Sequence, residues 1–287
     1  MSVAVVADST AYLPDQLARR YALLTVPLHV SVDGADSVEE GAFGPDELVA
    51  ALHGKHRVTT SGATYEELAR AYRRALDAGA DAVVSVHLSR HLSGTWDAAR
   101  AAAADVAPEL IRVVDSRSTA MGLGFPVLAA AEAARLGSDP PAVEAAALGA
   151  VERTRTMFSV QTLDHLRRGG RIGTAAALVG TALAVKPLLH VSEGRIEVLE
   201  KVRTTARAVN RLVDASVHAA GTGPVAAAVH HLAAPQLAEQ LAERISAHLP
   251  DHQECVVSEV GAVVGTHIGP GAAGVVILPG GWKDTFR

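Results

Sequence analysis

Ser93 and Thr95 stand two residues apart in the segment RHLSGTW (90–96). The run AVVSVHLS (82–89) before them is β-branched and apolar and reads as a buried strand. The run DAARAAAADVA (97–107) after them is a strong helix former. Hydroxyls at a strand-to-helix junction suit an anion, because backbone N–H groups point outward there and the helix dipole favours negative charge. The same layout recurs in VAVVADST (3–10) and IRVVDSRS (111–118). Parallel sheets take ligands beyond the carboxyl ends of their strands. Three such ends rich in Ser, Thr and Asp predict one polar pocket for a small anionic group. Gly94, Thr95 and Ser116 are its expected neighbours, with Ser61 from a further loop.

That loop, RVTTSGATYEEL, holds Thr59, Thr60 and Ser61; taken alone, these read as turn and cap residues. Thr64 followed by Glu67 fits a capping box. His267 falls in GAVVGTHIGPGAAGV and is expected in a glycine-rich turn between two strands, where backbone can approach a ligand closely. An imidazole there can donate to a carboxylate.

Catalytic patterns are sparse. His87 and His91 have metal-like spacing, but they span a strand end and a loop and need not share a face. His230 and His231 are adjacent in a strand and point to opposite faces. No metal site and no cofactor is expected. Asp8 and Asp115 at strand–turn junctions read as caps. The chain has no G-x-x-x-x-G-K-[ST], no G-x-S-x-G, and no G-x-G-x-x-G after a strand. Ser93 has no identified base and orienter, which a nucleophile needs. The hydroxyls look arranged to bind rather than to attack.

The chain has 287 residues, more than one core usually takes, and 49% of them are apolar. No stretch of about 18 apolar residues predicts a membrane span, and no signal peptide is evident. The one cysteine, Cys255, reads as buried filler in a strand, and a reducing cytoplasm is expected. A net charge of −5 and only 3% aromatics argue against a nucleic-acid partner. Residues 165–211 are different: nine Lys or Arg against three Glu give a local +6.

The first half alternates strand-like and helix-like segments, the rhythm of a parallel sheet covered by helices. The helix-like stretch 139–155 closes it, which predicts domains at 1–155 and 156–287. The second begins with MFSVQTL (157–163) and a glycine-punctuated helical stretch (167–185). A hairpin turning at Glu193-Gly194 follows, then helix, strand, helix and two late strands.

Taken together, these segments resemble the DegV family. ADST, TTSGAT, HLSGTW, VDSRSTAMGLG, LRRGGRIGTAAALVGTALAVKPLL and EKVRT occur in the family's order over nearly the whole chain. The Arg-Arg-Gly-Gly-Arg-Ile-Gly segment is the most specific. Gly62-Ala63 stands where the family usually has Gln-Pro. The resemblance implies two α/β domains: a three-layer α/β/α domain with a parallel sheet, and a two-layer α/β domain with a mixed sheet. It implies one fatty acid buried between them, its carboxylate held by residues that map to Thr60, Ser93 and His267. It further implies a carrier subunit, not itself an enzyme, that presents the carboxylate to a separate ATP-dependent fatty acid kinase. Arg167, Arg168, Arg171 and Arg203 in the basic block are the expected docking residues. The rival readings are a small-molecule kinase or hydrolase using the same pocket, and an interaction protein without a ligand.

Overall fold

The computed structural model describes residues 1–39, 43–178, 186–249 and 252–283. The chain starts with β1 (Val3–Asp8), α1 (Asp15–Arg20), β2 (Leu24–Val26), β3 (His29–Val32) and β4 (Ala35–Val38). Next come α2 (Pro45–His53), β5 (Val58–Ser61), α3 (Tyr65–Asp77), β6 (Ala82–His87), α4 (Thr95–Val106) and β7 (Ile111–Asp115). Two long helices, α5 (Met121–Arg135) and α6 (Pro140–Arg153), lead to β8 (Arg155–Ser159) and the short α7 (Asp164–Arg168). The remainder is β9 (Lys186–Ser192), β10 (Arg195–Val202), α8 (Thr205–Ala220), β11 (Val225–His231), α9 (Pro235–Ser246), β12 (His252–Glu259), α10 (Ala262–Ile268) and β13 (Ala273–Pro279).

Three sheets result. The first is wholly parallel, in the order β2-β1-β6-β7. Helices cover both of its faces, α3 with α4 and α5 with α6, which makes the three-layer α/β/α arrangement. β6 is buried along its whole length, as its unbroken apolar run requires. The second is a small antiparallel sheet, β4-β3-β5, absent from the sequence reading. The third has six strands, β10-β9-β8-β13-β11-β12, and is mixed: only β11 and β12 run parallel. Helices α8 and α9 cover one face of it. Its other face meets α5, whose Met121, Phe125 and Leu128 pack with Ala226, Val276 and Leu278. That double contact explains why α5 is apolar all round rather than amphipathic.

The Glu193-Gly194 hairpin forms as expected and its tip crosses to the first sheet. Ser89 donates to the Gly194 carbonyl at 2.8 Å, and Arg117 pairs with Glu193 at 3.2 Å. The glycine-punctuated helical stretch expected over 167–185 is interrupted among the described residues. α7 stops at Arg168 because Gly170 and Gly173 take positive φ, and only a 3₁₀ turn, Gly173–Leu178, follows. Residues 179–185 of that stretch lie outside the described residues. His267 is not in a turn either. It sits on α10, a seven-residue helix that packs on α2, α7 and β5. Val263 and Ala262 of α10 thereby join the core of the first sheet.

Candidate functional site

A cavity lies between the first two sheets and the open face of the third. It encloses about 980 Å³ of empty space, open mouth included. Its walls are aliphatic over most of their extent, with Leu28, Leu88, Val191, Ile196, Val263 and Val276 among them. The polar lining gathers at Thr60, Ser61, Ser93, Arg171 and His267, with a further patch at Thr119, Thr156 and His230.

The first polar group draws on separate elements. Thr60 comes from β5, and its Oγ1 lies 2.9 Å from Nε2 of His267 on α10. Ser93 comes from the loop between β6 and α4, and its Oγ lies 2.9 Å from Oγ1 of Thr95. Gly62 binds these loops together: a Cβ there would stand 3.0 Å from Ser93 Oγ and 2.7 Å from Thr95 Oγ1. A larger residue at 62 has no room in this packing. Next to it, the Ala63 N–H donates to Thr95 Oγ1 at 3.3 Å, a bond a proline could not make. The Gly-Ala departure from Gln-Pro therefore has its own packing and its own hydrogen bond.

His267 is neutral at physiological pH. Burial, with Arg171 and His165 nearby, holds its pKa down to about 4. Its Nδ1 is buried and has no protein partner. Arg171 is not a surface residue: its Nε donates to the Leu92 carbonyl at 3.0 Å and its Nη1 to the Gly169 carbonyl at 2.5 Å. It ties the Ser93 loop to the segment beneath His267 and puts a cation in the cavity wall. Hydroxyls, an imidazole and a guanidinium thus line one cavity whose interior is otherwise apolar.

The other sequence candidates divide. Ser61 lines the cavity. Thr95 is fully buried and supports Ser93 from behind, while Gly94 is exposed at the N-cap of α4. Ser116 is buried and donates to the Ser118 carbonyl. The expectation of one pocket fed by three strand ends does not hold. Ser9 donates to Glu39 and Thr10 to Asp8, so the β1 end spends its hydroxyls on internal caps. Arg167, Arg168 and Arg203 are exposed.

Among the described residues no group of three side chains is placed to hold a metal ion. His87 lies 3.1 Å from Asp8 and 2.7 Å from Ser85 Oγ. This chain has the residue types of a hydrolytic triad, but all three side chains are fully buried, beyond the reach of any substrate. Asp8 instead caps the turn after β1 and accepts from the Leu88 N–H at 2.9 Å. Cys255 is partly buried in β12, and burial pushes its thiol pKa up, away from reactivity.

Two residues that hold the site were missed in that role. Arg171 was read as a docking residue of the basic block, not as a brace in the cavity wall. Glu39 appeared nowhere, since a single acid after a short strand carries no periodic signal.

A parallel α/β/α half, a mixed-sheet half and an apolar cavity with a polar end between them define a small-molecule-binding protein of two α/β parts. The chain belongs to the DegV family: the model described as "Uncharacterised protein, DegV family" matches residues 2–280. A DegV domain-containing protein of Streptomyces coelicolor is 51% identical over 276 residues, 96% of this chain and 98% of that one. A Thermus thermophilus DegV family protein, whose structure is described as showing fatty acid binding, superposes with a TM-score of 0.92 at 34% identity, covering 97% of this chain and 100% of that one. DegV of Bacillus subtilis, described as a fatty acid binding protein, superposes at 0.88 with 35% identity over 97% and 99% of the two chains.

Proposed function

We propose that this chain binds one long-chain fatty acid in the cavity, with the carboxylate between Thr60, Ser93 and His267 and the acyl tail along the aliphatic walls. The observation that carries this is the cavity itself: an apolar interior ending in a neutral imidazole, hydroxyls and Arg171. A buried carboxylate needs donors, and these residues supply them. A tail of about 14 methylenes gains roughly 11 kcal/mol before the costs of binding, at about 0.8 kcal/mol per methylene. The tail then dominates affinity and the polar end fixes orientation. The aliphatic lining and the fatty-acid-binding relatives favour this ligand over a planar one.

The finer reading rests on the family resemblance. The protein is a non-enzymatic carrier, divided at 1–155 and 156–287, that works in the cytoplasm and presents the carboxylate to a separate ATP-dependent kinase for acyl-phosphate formation. No helix among the described residues is long and apolar enough to cross a membrane. Exposed Arg167, Arg168 and Arg203 near the same segments suit a partner that arrives with a phosphate donor.

Ser93→Ala tests the head site. Loss of one hydrogen bond to a charged group is expected to weaken fatty acid binding by about 1.5–3 kcal/mol, roughly ten- to hundredfold. Unchanged affinity would remove Ser93 from the site.

A further inference from the structure

We propose that Glu39 is the residue that positions His267, by holding the start of α10 against the first half of the chain. This rests on the fatty-acid reading only for what His267 then contacts. Glu39 is only 3% exposed, and a carboxylate at that depth needs compensating donors. It has three. Its Oε1 accepts from the Val263 N–H at 2.8 Å and from the Tyr12 hydroxyl at 2.7 Å, and its Oε2 accepts from the Ser9 hydroxyl at 2.7 Å. The Tyr12 oxygen in turn accepts from the Val264 N–H at 3.2 Å. Glu39 and Tyr12 thus satisfy two of the N–H groups that the first turn of a helix leaves without partners.

α10 needs this help. Its sequence AVVGTHI contains two valines and a glycine, and seven residues do not hold a helix alone. The approach is close: a Cβ on Gly261 would stand 2.4 Å from Glu39 Oε1 and 2.8 Å from Tyr12 Cε1. On a neighbouring face, a Cβ on Gly265 would stand 2.6 Å from Leu48 Cδ2. Val263 and His267 are four residues apart, on one face of the helix, and both line the cavity. A shift at the capped end is therefore passed along this short helix to His267. Glu39 itself lines no part of the cavity, so its role is positioning.

The test compares Glu39→Ala, Glu39→Gln and a control, Leu241→Ala, in the core under the third sheet. The readouts are melting temperature, affinity for a fluorescent fatty acid, and the NMR resonance of the His267 ring. Glu39→Ala is expected to shift that resonance and to weaken binding about tenfold, the equivalent of about 1.4 kcal/mol. Glu39→Gln, which keeps an acceptor oxygen, is expected to restore most of both. Leu241→Ala is expected to lower the melting temperature without moving either. An unmoved resonance in Glu39→Ala, or equal losses in Leu241→Ala, would overturn the assignment. The resonance reads position without a ligand, so it separates this assignment from failure of the wild-type protein to bind fatty acid. Should Glu39→Ala not fold, Tyr12→Phe removes only the hydroxyl between Glu39 and Val264. It is expected to shift the same resonance in the same direction, and no shift would count equally against the proposal.

Discussion

The imidazole of His267 occupies the space where a side chain on Gly169 would be: a Cβ there would stand 2.0 Å from Nδ1. The relation is mirrored at the end of α10. A Cβ on Gly269 would stand 2.4 Å from Cδ2 of His165. α7 and α10 are thus interlocked, the histidine of each lying over the glycine beyond the other. The Arg-Arg-Gly-Gly segment thereby has a packing role. One of its glycines makes room for the ring that faces Thr60.

Gly169→Ala isolates this contact. The backbone at Gly169 is helical, with φ −76°, so alanine is conformationally acceptable and the strain falls on His267. Fatty acid affinity is expected to fall about tenfold or more, the equivalent of about 1.4 kcal/mol. Gly170→Ala is the contrast. Gly170 has φ +70° and open space around it, so that variant is expected to lose about 1–2 kcal/mol of stability and little affinity. Titration with a fluorescent fatty acid and thermal melts distinguish the two.

Stability should fall on mild acidification. Burial holds both His267 and His230 at about 4, against 6.5 for an ordinary histidine. Between those values the unfolded chain binds more protons than the folded one, so stability is full above pH 6.5 and is lost as pH falls towards 4. The loss is at most about 3 kcal/mol for each ring. His267→Gln should flatten part of the profile. A bound carboxylate beside His267 favours the charged ring, so lipid-loaded protein should lose less than stripped protein. Melting temperatures at pH 7.5 and pH 5, with and without lipid, check both statements. Equal profiles for wild type and His267→Gln would contradict the first.

Much of the fold was legible, for definite reasons. The β6 run AVVSVH is a mostly apolar stretch of strand length, α3 is clearly amphipathic, and the Glu193-Gly194 turn has the residues its hairpin needs. Ser93 and His267 were legible singly as anion and carboxylate contacts, but their grouping with Thr60 came only through the resemblance, since Thr60 and His267 are 207 residues apart and nothing local connects them. α10 was misread as a turn because its helix depends on a cap from Glu39, a tertiary effect that propensity does not contain. Arg171 was grouped with surface charges because charge patterning cannot tell a solvated arginine from one bonded to the Leu92 and Gly169 carbonyls.

That difference separates two arginines in the expected kinase partnership. Arg203 is exposed, so Arg203→Glu should slow acyl-phosphate formation by the partner while bound lipid stays unchanged. Arg171→Glu should reduce both, because it breaks the brace between the Ser93 loop and Gly169 and puts a negative charge beside the carboxylate. Lipid content and phosphorylation rate, measured together at low salt where exposed charges are least screened, give the split. An Arg203→Glu rate equal to that of the parent would reject docking through that residue.

The most direct measurement is mass spectrometry of the lipid released by denaturing extraction of the purified protein, quantified against protein. Near-stoichiometric fatty acid is expected, with the amount reduced in Gly169→Ala. Folded protein that carries no lipid and takes up none when fatty acid is supplied would contradict the carrier account.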